Sequence, residues 1–73
     1  MTMDAGTLAH VTQLDIAALI GMLPIRQRIA MVERYWIGAS TDETALLLGT
    51  HPDSVKHLRQ RALARLARML GAA

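Results

Sequence analysis

The side chains best equipped for chemistry in this chain are cations, and they are segregated. Every acid (Asp4, Asp15, Glu33, Asp42, Glu43 and Asp53) lies at or before position 53. From Ser54 onward come Lys56, Arg59, Arg61, Arg65 and Arg68 without a single acid. The overall charge of +2 conceals this asymmetry. A surface for a polyanion requires such a separation of signs. A solvated helix whose C-terminal cations complement its macrodipole would also produce it. Charge alone does not choose between the two.

Other chemistries find little support. With no cysteine, disulfides, thiolate metal sites and a cysteine nucleophile are excluded. His10, His51 and His57 lack metal-ligand spacing, the carboxylates are scattered, and there is no glycine-rich phosphate loop. No metal, cofactor or enzymatic role is therefore expected. No apolar run approaches the roughly 20 residues that span a bilayer. Residues 1–10 lack the charged start and apolar middle of a secretory signal. The expectation is a cytoplasmic binding domain.

The cations need a scaffold, and 73 residues suffice for one small domain. Ala, Leu, Met and Arg favour helix, and long β-branched runs are missing, so the fold class is all-α. Residues 1–10 read as a flexible N-terminal arm, and 11–73 as a four-helix domain. Thr12 and Asp15 resemble a capping box, opening a helix to about Met22 with Ile16, Leu19, Ile20 and Leu23 as its stripe. Pro24 suits the first position of a second helix. There Ile25, Ile29, Val32 and Trp36 recur on one face, and Gly38 ends the run. Met22, Met31, Met69 and Trp36 read as core fillers.

Ser40 and Glu43 form a clearer capping signal for a short third helix, which Gly49 stops. Its inward side would be Thr44, Ala45 and Leu48, with Leu47 at the edge. A fourth helix runs from near Pro52 to about Leu70, with an apolar stripe of Val55, Leu58, Ala62, Leu66 and Met69. A short helix, a glycine turn and a longer helix make the helix-turn-helix pattern. Ala45 permits a close crossing, while Val55 and Leu58 anchor the last helix. At about 100° per residue, the outward face collects Asp53, Lys56, His57, Gln60, Arg61 and Ala64. Lys and Arg can donate to guanine, Gln can pair with adenine, and phosphates accept the remaining donors. Arg59 falls nearer the buried side, from which it would reach a phosphate or cover apolar surface.

Several blocks resemble region 4 of bacterial sigma factors. They are Leu23-Pro24-Ile25-Arg26-Gln27-Arg28, Arg34-Tyr35-Trp36-Ile37-Gly38-Ala39-Ser40 and Glu43-Thr44-Ala45-Leu46-Leu47-Leu48-Gly49. Ser54-Val55-Lys56 and Arg61-Ala62-Leu63-Ala64-Arg65-Leu66 continue the match in register. The similarity covers roughly Asp15 to Leu70 and is strongest to the extracytoplasmic-function group. It implies a C-terminal promoter-reading domain that supports transcription initiation, with the last two helices at the major groove of the −35 element and contact with the RNA polymerase β-flap. The DNA-binding residues it implies are Arg34, Ser54, Lys56, His57, Arg59, Gln60 and Arg61, with Arg34 and Ser54 on the backbone. An anti-sigma factor is a further partner common in that family.

Three departures qualify the match. His51 stands where the family usually caps its recognition helix with Ser or Thr, so Thr50 is an alternative cap. Leu46 replaces a usual polar residue and is a candidate partner-binding contact. The family's preceding −10-reading and DNA-melting domain has no counterpart here, so this chain alone is not expected to initiate transcription. Two rival readings follow. One is an interaction module that uses the sigma fold to bind an anti-sigma factor or polymerase. The other is a LuxR-type effector domain, which shares the layout but typically has an acidic start to its second helix and lacks the Arg-Ala-Leu-x-Arg-Leu tail.

Overall fold

A computed structural model describes residues 16–71 of the chain. Residues 16–21 are helical (α1), followed by α2 (Ile25–Val32), a π-helical turn (Glu33–Ile37), α3 (Thr41–Leu48) and α4 (Pro52–Met69). No strand occurs among the described residues. The all-α expectation holds, with α3 and α4 forming the helix-turn-helix. The Thr12/Asp15 capping box and the N-terminal arm lie outside the described residues.

The core gathers where three helices converge. Ile20 from α1, Leu23 from the following turn, Met31 from α2, and Ala62 and Leu66 from α4 form one buried cluster. Ile16, Leu19, Val32 and Met69 pack against it. The stripes read for α1 and α4 therefore face inward as expected. Ala62 is 0% exposed, so α4 meets its neighbours closely at this small residue. A second contact joins α3 to α4, with Thr44, Ala45 and Val55 all buried. The Thr44 hydroxyl is satisfied there by donating to the Ser40 carbonyl at 3.0 Å.

The second helix departs from its expected face. Ala30 and Met31 are buried, while Ile25 and Trp36 are exposed and Ile29 and Val32 are half-buried. Two physical causes act. Pro24 is the N-cap rather than the first helical residue, so Ile25 sits at the solvated start of the helix. The π turn then winds more slowly than an α-helix, so Trp36 does not continue the α-helical stripe. Trp36 is 53% exposed and is not a core filler; nor is Met22, exposed in the turn after α1. Gly38 ends the π turn in the left-handed conformation, φ 82°, as its residue type suggested.

The starts of both helices of the helix-turn-helix are fixed by short-range polar bonds. The Ser40 hydroxyl accepts from the Glu43 N–H and the Glu43 carboxylate accepts from the Ser40 N–H, each at 3.0 Å. These bonds, from the Ser40 backbone first and then its side chain, hold the Glu43 carboxyl below its ordinary pKa, against a small opposing desolvation. A depressed carboxyl pKa contributes stability above its unfolded value, and that contribution disappears as pH falls through the folded value. Wild type should therefore melt above Glu43→Gln at neutral pH, and the gap should close on acidification below the usual Glu range. A pH-independent gap in paired thermal melts would show that the carboxylate charge is irrelevant.

Gly49 closes α3 in the left-handed conformation, φ 64°, and the Thr50 N–H donates back to the Ala45 carbonyl at 2.9 Å. His51, not Thr50, caps α4: its Nδ1 accepts from the Asp53 N–H at 3.1 Å. The imidazole thus supplies what a hydroxyl usually does, in its Nδ1-acceptor tautomer. His51→Ala should cost about 1 kcal/mol, the usual scale of a lost cap, while His51→Ser should restore it. Chemical denaturation of the three proteins measures the difference, and an Ala variant as stable as wild type would remove the cap from the account.

Candidate nucleic-acid interface

Orientation of α4 decides whether its cations are available. Val55, at 1% exposure, and Ala62 pin one side of the helix, with Leu58 half-buried beside them. On the opposite side Lys56, His57, Gln60, Arg61 and Ala64 are all exposed, as is Asp53 at the first turn. The reading face inferred from helical spacing is therefore exposed, with no hydrogen bond or ion pair tying Lys56, His57, Gln60 or Arg61 down among the described residues. It offers ammonium, imidazole, amide and guanidinium groups in successive turns, a set suited to base edges in a major groove.

Beside this face lies a polar notch of 310 Å³ lined by Arg26, Thr50, Ser54, His57, Leu58 and Arg61. Its walls come from α2, the turn and α4. Two arginines, a histidine and two hydroxyl residues are among the lining residues, and no carboxylate is. Such a group of donors suits a phosphodiester. The Arg26 guanidinium is steered here by a long bond from Nη2 to the Leu48 carbonyl, 3.4 Å, at the C-terminal end of α3. Ser54, half-buried near the start of α4, joins the notch with His57 and Arg61. Arg26 and Thr50 were not anticipated as site residues. The only sequence signal for Arg26 was its place in the Leu23–Arg28 block, since its tertiary partners are far along the chain.

The remaining site candidates stand elsewhere. Arg34 is exposed on the π turn. Arg59 is half-buried, and its Nη2 donates to the Thr41 hydroxyl at 2.8 Å, which ties it to α3 within the monomer. Leu46 projects from α3 at 83% exposure, with Leu47 also exposed beside it. A separate apolar groove of 510 Å³ runs between α1, the π turn and the C-terminal half of α4. Ile16, Leu19, Tyr35, Trp36, Leu63 and Leu70 are among its lining residues.

The family model described as sigma-70, region 4 matches residues 13–66. The chain belongs to that family. The matched span holds all of the notch residues and the whole reading face of this region 4 domain. Two curated relatives are RNA polymerase sigma-E factors. That of Streptomyces coelicolor is 39% identical over 64 residues, covering 88% of this chain and 36% of the relative. That of Streptomyces avermitilis is 37% identical over 65 residues, covering 89% of this chain and 36% of the relative. The region 4 chain thus spans little more than a third of the length of either relative. No solved structure matches it.

Proposed function

We propose that this region 4 domain binds the −35 element of promoter DNA through the exposed face of α4, supporting transcription initiation by RNA polymerase. The observation that carries this reading is the free Lys56–Arg61 face beside a carboxylate-free notch. α4 enters the major groove, with Lys56 and Arg61 donating to guanine O6 and N7, Gln60 pairing with adenine, and His57 donating to a base or nearby phosphate. Ser54, Arg26 and Thr50 hold one phosphate in the notch, and Arg34 holds another. The domain acts by binding and has no catalytic chemistry; its setting is the cytoplasm.

The apolar groove supports a second contact, with the polymerase β-flap. Tyr35, Trp36, Leu63 and Leu70 are exposed around it, and together they offer an apolar seat distinct from the polar notch. An anti-sigma factor is the rival occupant of the domain's apolar surface, and Leu46 on α3 favours that second reading. The family match sets the LuxR-type alternative aside.

Mobility shift with a −35-like duplex and a scrambled one, at two salt concentrations, tests the DNA reading. Binding should prefer the −35-like duplex and fall steeply as salt rises. Equal affinity for both duplexes, or no binding at low salt, would favour the interaction module instead.

A further inference from the structure

Arg59 is the one cation of the α4 segment, Lys56 to Arg61, that does not share the reading face. At about 100° per residue, it lies about 130° around the axis from the centre of Lys56, His57, Gln60 and Arg61. It is half-buried, whereas those four are exposed. Its guanidinium is committed at 2.8 Å to the hydroxyl of Thr41, the first residue of α3. That places the bond at the end of α3 opposite the Gly49 turn. Eight helical residues separate the two points, a lever of about 12 Å at 1.5 Å per residue.

The geometry gives the two helices two fastenings. Near Gly49 the chain itself joins them, and the Thr50 N–H bond to the Ala45 carbonyl tightens the corner. Between the fastenings the contact is made by Thr44, Ala45 and Val55; the Thr44 hydroxyl donates to the Ser40 carbonyl at the start of α3, so no directional bond to α4 comes from these three residues. The bond at the far end of the lever supplies a directional one. Rotating α4 by a fraction of a turn would carry Lys56, Gln60 and Arg61 off their base edges while leaving each of them exposed and charged.

We propose that Arg59 is a positioning residue for promoter reading: through Thr41 it fixes the rotation of α4 against α3, and so sets sequence discrimination without touching DNA. The inference rests on the −35 reading. It departs from the expectation that Arg59 contacts a phosphate, and the two roles have opposite signatures. A phosphate ligand contributes to the salt dependence and to affinity for every sequence. A strap contributes to neither, and acts on the ratio between right and wrong sequences.

The test uses the full chain, with Arg59→Met, Thr41→Val and the double variant. Affinities for a −35-like and a scrambled duplex are measured across salt, well below each protein's melting temperature. Either single change should reduce the preference for the −35-like duplex by about tenfold, the scale of one hydrogen bond to a charged group. The double variant should lose no more than either single one, because both break the same bond. Affinity for the scrambled duplex and the salt slope should stay at wild-type values. Thr41→Val is the decisive arm, since it removes no charge. Undiminished discrimination in Thr41→Val, or a shallower salt slope with uniform weakening in Arg59→Met, would overturn the inference and return Arg59 to the phosphates. Loss of melting temperature with discrimination intact would also overturn it, as a purely structural bond. A wild-type chain that binds both duplexes alike overturns the −35 reading and this inference together.

Discussion

Leu23→Ala is expected to lower stability by about 2–5 kcal/mol, the range for emptying a buried leucine site. Leu23 is 2% exposed and is one of the two largest fully buried side chains. It sits at the turn between α1 and α2, where its N–H donates to the Ile20 carbonyl and its own carbonyl accepts from Arg28 Nη2 at 3.3 Å. The backbone is therefore held, and the core has little freedom to collapse into the space a truncation leaves. A domain of this size has only a few kcal/mol in total, so the variant should be largely unfolded at room temperature. At about 4–8 °C per kcal/mol for small domains, a thermal melt by circular dichroism will show the difference at once. A midpoint within a few degrees of wild type would mean that the described core is not what holds the helices together.

Arg61→Ala should have the largest effect on recognition. Arg61 is exposed on the reading face and also lines the polar notch, so in the proposed complex it would stand between base edges and backbone. If it pairs a guanine, its loss removes about 1–3 kcal/mol of discrimination at one base position. Affinity for −35-like duplexes carrying each of the four bases at that position would then become nearly equal. Uniform weakening across every duplex, with a shallower salt slope, would instead assign Arg61 to the notch and a phosphate. Substituting Arg65, exposed further along α4 and outside the notch, provides the control for simple charge removal.

Much of this architecture was legible in the sequence because its signals are local. The Ser40/Glu43 pair opens α3, Gly49 closes it, and the Val55–Ala62–Leu66 stripe fixes which side of α4 is buried. From that stripe alone the exposure of Lys56, His57, Gln60 and Arg61 followed. What stayed hidden depends on long-range contact or on a change of helical winding. Trp36 was read as core by continuing an α-helical period across a segment that winds as a π turn. Met22 was read as core from its type, yet it falls in a solvated turn. Arg26 joins the notch only because α2 passes beside the α3–α4 corner, and the Arg59–Thr41 bond spans 18 residues. His51 was doubted as a cap because hydroxyl residues dominate such positions, although an imidazole nitrogen accepts the same bond.

The π turn has a consequence for the groove beyond its lining. A π-helical stretch holds the surplus of a single inserted residue within an otherwise α-helical path. Removing Arg34 would let α2 continue at ordinary pitch, and the tighter winding would largely offset the lost residue, so that α3 and α4 would keep their phase. Tyr35 and Trp36 would shift within the turn and reshape the apolar seat, while the cationic side of α4 kept its place. A single-residue change of length at this turn thus acts on the docking groove and on the proposed Arg34 backbone contact, and leaves the base-reading side of α4 as it is.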